Sequence, residues 1–326
     1  MDPSIVQSVY HRIVSSVSKI IVGKEDVIGK VTCAFLCSGH VLLEDVPGTG
    51  KTMLLRAFAK SIGSDFKRIQ FTPDLLPSDL TGINFYNQKE GEFVFRPGPL
   101  FANIVLADEI NRATPRTQSS LLEAMGESQI SVDGRTMALP EPFMVMASQN
   151  PLESYGTFPL PEAQIDRFFM CLTVGYMTRD QEMSVMVQPD REKMLEDVRP
   201  QVTLDDIKRA KEETAKVTMS SEVQNYLMDI IEKTRTSSLI ANGVSTRGTL
   251  ALYKAAQASA AVKGRDFAVP EDVRDNAVAV LAHRLVLTSS GSYAEKQRTM
   301  TQLLEEVTVP MEEGVKDSDS MTGQDR

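Results

Sequence analysis

Tryptophan is absent from this chain, and phenylalanine and tyrosine bring the aromatic share to only 6%. That leaves little surface for stacking on bases. Cysteine is scarce, with only Cys33, Cys37 and Cys171 present. Cys33 and Cys37 stand one turn apart in an apolar helical stretch, a setting for buried thiols rather than for a metal or a disulfide. No run of eighteen apolar residues exists to cross a membrane, and the N-terminus lacks the basic-then-apolar pattern of a secretory signal. The expectation is a reduced, cytoplasmic chain without a membrane span. A basic excess is missing too, because 35 Lys and Arg stand against 44 Asp and Glu for a net charge of −9. Residues 305–326 hold seven acids and two bases, so −5 of the total lies there and −4 in the remainder. Neither part has the basic footprint of a nucleic-acid binder, and nucleic acid is not expected as a partner.

What is present fits a soluble globular protein of two domains: 326 residues, 42% hydrophobic and 24% charged. Apolar residues from Ile5 to Ile20 recur at three and four, marking an amphipathic helix, and a second helix runs from the Gly23 turn to about Cys37. Strand and helix patterns then alternate: strand 41–44, helix 51–62, strands 67–71 and 103–108, helix 114–126, strands 143–148 and 168–174. Such alternation argues α/β architecture with a central parallel sheet. After about residue 176 strand signals end, and helical patterns follow near 178–187, 203–216, 219–236, 246–263 and 270–287. The reading is an α/β core over 1–176, an all-helical domain over 177–306 and a disordered acidic tail over 307–326. Two β-hairpins interrupt the core, near 83–95 and 129–139, the second around an Asp133-Gly134 turn.

Leu42-Leu43-Glu44-Asp45-Val46-Pro47-Gly48-Thr49-Gly50-Lys51-Thr52 is an apolar strand, a glycine-rich turn and a helix opening on Lys-Thr. This arrangement aims backbone N–H groups and the positive end of a helix dipole at phosphates. Lys51 is placed to reach the β- and γ-phosphates, and the Thr52 hydroxyl to ligate Mg²⁺. The strict pattern has glycine where this chain has Asp45. After Asn103, residues 104–107 form a continuous apolar run ending in Asp108-Glu109, which reads as a buried parallel strand delivering two acids to the ligand edge. There Asp108 holds Mg²⁺ and Glu109 polarises water, which points to hydrolysis rather than transfer to an organic acceptor. A third apolar run, 143–148, ends near Asn150, which is placed to help align that water. Arg167 follows a short helix, and Arg247 opens a helix in the second domain. Singly, each of these last three also reads as a strand cap or a solvated ion.

Taken in order, LLEDVPGTGKT (42–52), RIQFTPDLLPSDLTG (68–82), FRPGPLFANIVLADEINRA (95–113), TQSSLLEAM (117–125), SQNP (148–151), LPEAQIDRF (160–168) and STRGTLALYKAA (245–256) resemble the MoxR family of AAA+ ATPases. The resemblance spans about residues 5–305, and MoxR-like sequences tolerate Asp at the position of Asp45. It implies a P-loop AAA+ core with a helical C-terminal lid, ATP and Mg²⁺ as cofactors, and two inserted hairpins. It also implies roles for single residues: Asn150 as sensor 1, Arg167 as an arginine finger acting in trans, and Arg247 as sensor 2 touching nucleotide from the lid. Val22 and Gly23 match the adenine-contacting segment, and Pro47, Gly48, Thr49, Gly50, Lys51, Thr52 and Met53 the phosphate-binding one. Arg112 and Arg116 are rival interface arginines. A trans arginine implies a ring, expected to be a hexamer, acting on a protein client, in some relatives with a partner carrying a von Willebrand factor A domain. A DNA-acting motor and an ATP-gated scaffold with vestigial hydrolysis are the alternative readings.

Overall fold

The computed structural model describes residues 2–45, 48–150, 156–187, 190–289 and 291–310. Two helices come first, α1 (Pro3–Ser18) and α2 (Glu25–Leu36). The α/β part follows as β1 (Val41–Glu44), α3 (Lys51–Ser61), β2 (Phe66–Gln70), α4 (Pro77–Thr81), β3 (Gly82–Asn87), β4 (Glu92–Pro97) and β5 (Ile104–Asp108). It continues through α5 (Pro115–Glu127), β6 (Gln129–Val132), β7 (Arg135–Ala138), β8 (Met144–Gln149), α6 (Glu162–Ile165) and β9 (Met170–Leu172).

The central sheet has the order β2-β5-β8-β1-β9, and every pairing in it is parallel. Its inner strands are buried on both faces, as the apolar runs require: all five residues of β5 and the first five of β8 are covered. β8 lies between β1 and β5, pairing Leu43 with Ser148 and Ala107 with Ala147. The turn after β1, the acids ending β5 and the polar end of β8 therefore emerge side by side at one rim. Adjacent strands are about 4.8 Å apart, so the three ends span about 10 Å. In α1, Val6, Val9, Ile13 and Val17 are fully buried, the apolar stripe expected of a helix laid on a core. The hairpins β3–β4 and β6–β7 stand outside the sheet, tied together where Asn84 donates to Asp133 at 2.7 Å.

The remaining chain is mainly helical: α7 (Arg179–Met186), α8 (Arg191–Glu196), α9 (Leu204–Thr214), α10 (Ser221–Thr236), α11 (Thr246–Val262), α12 (Pro270–Leu281) and α13 (Tyr293–Glu306). Reciprocal caps start several of them, with Thr178–Gln181, Thr203–Asp206 and Ser292–Glu295 each satisfying free N–H groups. Minor strands β10 (Thr218–Met219), β11 (Ile240–Asn242), β12 (Phe267–Ala268) and β13 (Val286–Leu287) pair as two small ribbons within this part. The helix expected over 270–287 ends at Leu281, because a 3-10 turn over Ala282–Arg284 leads into β13. The strand expected over 168–174 is confined to 170–172. Val307 and Val309 pack half-buried on the core, at the start of the expected tail, and residues 311–326 of it lie outside the described residues. Among the described residues no helix is long and apolar enough to cross a membrane.

Candidate active site

The glycine-rich turn sits where β1 feeds α3. Gly48 and Gly50 have φ of +85° and +88°, conformations that L side chains rarely adopt. A Cβ built on either meets nothing within 4 Å, so the backbone there faces open space. Leu54, Leu55, Ala57 and Phe58 bury the body of α3, which leaves its N-terminal N–H groups pointing into that space. Pro47 lies outside the described residues. Asp45 is buried, and its Oδ2 accepts from the N–H groups of Val174 and Gly175, both at 3.0 Å. That bond gives the departure from glycine a purpose: it ties the turn to the segment after β9.

A cleft of about 410 Å³ opens over this turn, walled by Gly48, Gly50, Lys51, Thr52, Met53, Asp108, Glu109, Ser148 and Asn150. Asp108 is only 9% exposed. Its Oδ1 accepts from Ser148 Oγ at 2.5 Å, and its Oδ2 from Arg68 at 2.7 and 3.2 Å. Glu109 adopts the left-handed conformation, φ 57° and ψ 50°, with its N–H donating to Ser148 Oγ at 2.9 Å. A non-glycine residue held there costs about 1–3 kcal/mol and recurs at functional sites. Its carboxylate accepts from Gln70 Nε2 at 2.7 Å and pairs with Arg112 at 3.0 Å. Asn150, 7% exposed, stands on the same wall.

Val22 and Gly23 are not among the residues walling this cleft, and Gly23 lies against Gln181 of α7. The Gln181 amide lies so close to Gly23 that a Cβ there would come within 1.9 Å of Nε2, and Lys24 Nζ donates to the Tyr176 carbonyl at 2.8 Å.

Arg167 and Arg247 are both exposed, and they share a different cleft of about 330 Å³ with Asp166, Lys254 and Arg284. Arg247, expected from the resemblance to touch nucleotide from the lid, is not among the residues walling the P-loop cleft. The N-terminus of α11 is fastened to the 166–169 segment instead, through Ser245, which donates to Asp166. What the helical part brings to the P-loop cleft is Glu192 of α8, paired with Arg56 of α3 at 2.9 Å. Arg112 is engaged with Glu109 on its own chain, whereas Arg116 is exposed on α5.

Arg56, Arg68, Gln70, Ser148 and Glu192 are the cleft residues that sequence reasoning passed over. For the strand residues a signal was available, since 68 and 70 share one face of β2, and Ser148 lies at the end of β8 just before Asn150.

A cleft joining a left-handed glycine turn at a helix N-terminus to paired acids on the next-but-one strand defines a P-loop nucleotide-binding ATPase. A model of the ATPase family associated with various cellular activities matches residues 40–170, and an AAA lid model matches 232–307. Chaperone MoxR1 of Mycobacterium tuberculosis is 41% identical over 290 residues, covering 85% of this chain and 75% of its own. YeaC of Bacillus subtilis is 46% identical over 301 residues, 92% of this chain and 94% of its own. The crystal structure of a candidate ATPase from Cytophaga hutchinsonii superposes with a TM-score of 0.83 at 36% identity, covering 94% of this chain and 97% of that one. The chain belongs to the MoxR family of AAA+ ATPases.

Proposed function

We propose that this protein hydrolyses ATP in a ring of its own copies, expected to be hexameric, and uses the cycle to remodel a protein complex in the cytoplasm. The observation that carries the reading is that the phosphate-turn and acid residues line one cleft and the two exposed arginines another. Lys51, Asp108, Glu109 and Asn150 share one, while the exposed Arg167 and Arg247 share the other. Each is half of a phosphoryl-transfer site, and a neighbouring copy is the natural source of the missing half.

Nucleotide phosphates fit the Gly48–Thr52 backbone, with Lys51 reaching the terminal groups. Mg²⁺ suits Thr52 and Asp108, since this ion is usually held by one or two carboxylates together with substrate phosphates. Asp108 already receives a cation, the Arg68 guanidinium at 2.7 Å, so its carboxylate is aimed at positive charge within the cleft. When bound, the metal neutralises charge developing on the phosphates. Glu109 then orients the attacking water, Asn150 holds it in line, and Arg167 and Arg247 of the adjoining copy stabilise the leaving charge.

The hairpin β3–β4 supports a protein client. Ile83, Phe85, Tyr86 and Phe93 are exposed on it, Phe93 at 72%. A von Willebrand factor A domain partner is carried over from the family resemblance alone. The hairpin β6–β7 pairs Val132 with Arg135 around Asp133, which offers no basic surface for DNA.

Glu109→Gln tests the chemistry. ATP binding is retained while turnover falls about 10²–10⁴-fold, the range for loss of a positioned base. Turnover at the wild-type rate defeats the assignment. Salt-sensitive stimulation by DNA favours a motor instead, and tight binding without turnover in the assembled wild type favours a scaffold.

A further inference from the structure

In the wall of the arginine cleft, the Asp166–Phe169 segment is gripped by the helical part from several directions. Ser245 Oγ donates to both carboxylate oxygens of Asp166, at 3.1 and 3.0 Å. Arg284 Nη1 donates to Asp166 Oδ1 at 2.8 Å and to the Asp166 carbonyl at 2.9 Å. Its Nη2 donates to the Phe168 carbonyl at 2.7 Å, and its Nε to the Val280 carbonyl at 2.8 Å. The Arg284 side chain is 2% exposed; its Nη1 and Nη2 fix this segment, while Nε ties it to α12.

A buried ion pair of this kind is weak evidence for stability, because desolvation offsets most of its attraction. It does specify geometry, and what it specifies here is suggestive. Asp166 immediately precedes Arg167, and Ser245 stands two residues before Arg247. The Asp166–Ser245 bond therefore joins the chain neighbours of the two exposed arginines. Arg167 is steadied from the other side, where its Nη1 donates to the Leu122 carbonyl of α5 at 2.6 Å.

We infer that Asp166 is a positioning residue: clamped by Ser245 and Arg284, it sets Arg167 against Arg247 and makes the two arginines move with the helical part. The inference rests on the ring reading above and adds a route by which a shift of that part reaches the neighbour's γ-phosphate. Asp166 touches neither nucleotide nor metal, and it acts through Arg167.

Steady-state ATPase of the assembled protein tests it with Arg167→Ala, Asp166→Ala, Asp166→Asn and the double variant Asp166→Ala/Arg167→Ala. Asp166→Ala lowers kcat on the order of tenfold or more, since small misplacements of a catalytic group are that costly. KM for ATP stays within about twofold, because binding uses the other cleft. Asp166→Asn keeps an acceptor for Ser245 and Arg284 and recovers part of the rate. The double variant is no slower than Arg167→Ala alone, as expected of two residues acting as one unit. Losses that multiply, or wild-type kcat in Asp166→Ala, overturn the positioning role and leave the ring reading standing. Wild-type kcat in Arg167→Ala removes Arg167 as the trans arginine and overturns the positioning role with it, while a ring completed by Arg112, Arg116 or Arg247 is then tested by their own alanine variants. Should Asp166→Ala fail to fold, Asp166→Asn with and without Arg167→Ala completes the same cycle.

Discussion

The two clefts are built by opposite means. The P-loop cleft is made from strand ends and a helix start, and its acids are already paired with Arg68, Gln70, Arg112 and Ser148. The arginine cleft is made where the helical part is bolted to the core, and it leaves two guanidinium groups exposed. The first is rigid and closed in its bonding, which suits a group that must hold a substrate in one pose. The second is anchored at its root, and although Arg167 Nη1 also meets the Leu122 carbonyl, both arginine side chains stay exposed, which suits groups offered to something else. That contrast sits well with a site completed between copies.

The arginines give the largest effects by which this contrast can be broken. Arg167→Ala lowers kcat about 10³–10⁵-fold, the usual worth of a trans arginine, with ATP affinity unchanged. Arg247→Ala lowers it about 10²–10³-fold, the cost of one charge-stabilising donor. Mixed rings locate the loss: protomers carrying either substitution slow their neighbours' sites and leave their own intact. A loss confined to the protomer that carries Arg247→Ala would return that residue to its own nucleotide.

Acid separates the clefts by a second route. His40 is buried in the wall of the arginine cleft, its Nδ1 accepting from the Val145 N–H at 3.0 Å and its Nε2 donating to the Met125 carbonyl at 2.9 Å. Burial pushes it down to about 4, with a smaller push from Lys211. Burial also drives His283, which meets the Phe168 carbonyl, well below its ordinary value. Among the described residues, no histidine walls the P-loop cleft. The folded state keeps His40 neutral while the unfolded chain takes a proton near 6.5, so stability is full above that pH and falls as pH drops toward 4. The loss is about 3 kcal/mol over that window, read as a fall in urea midpoint. For Asp272 in the helical part, burial pushes upward but is outweighed by bonds to the Val269 N–H, Lys263, Arg265 and Ser259, so it is lowered on balance and loses its contribution only below the ordinary aspartate range. His40→Gln, which can keep one donor and one acceptor, flattens the slope between 6.5 and 4. An unchanged slope assigns it to other groups.

The strand ends were legible because buried parallel strands read as short apolar runs, and because a phosphate turn has few sequence solutions. The observed bounds of β1, α3, β5 and α5 lie within a residue or so of the expected ones. Pairings across strands were not legible, since nothing local in Arg68 or Gln70 names the acids they meet on β5. The position of the helical part was also out of reach. It depends on Ser245 and Arg284 finding Asp166 across a separation of 79 and 118 residues, a purely tertiary fact. α13 escaped notice because its buried residues are sparse, Tyr293 and then Met300, Leu303 and Leu304, although Ser292 and Glu295 spelled out its cap.

The smallest effect belongs to the link between the clefts' two builders. Among the described residues walling the P-loop cleft, Glu192 alone comes from beyond β9, and it meets Arg56 at 2.9 and 3.0 Å. The partners are 35% and 55% exposed, so the pair contributes less than about 1 kcal/mol to stability. Its charge is the more useful handle, because it places an acid beside a site meant for a triphosphate. Glu192→Gln therefore lowers KM for ATP about twofold at low salt, and the difference fades near 0.5 M salt, where the screening length falls to about 4 Å. A rise in KM instead would make α8 a clasp that closes over nucleotide through Arg56. The helical part would then serve both clefts, and the division of labour between them would be less strict than their charges imply.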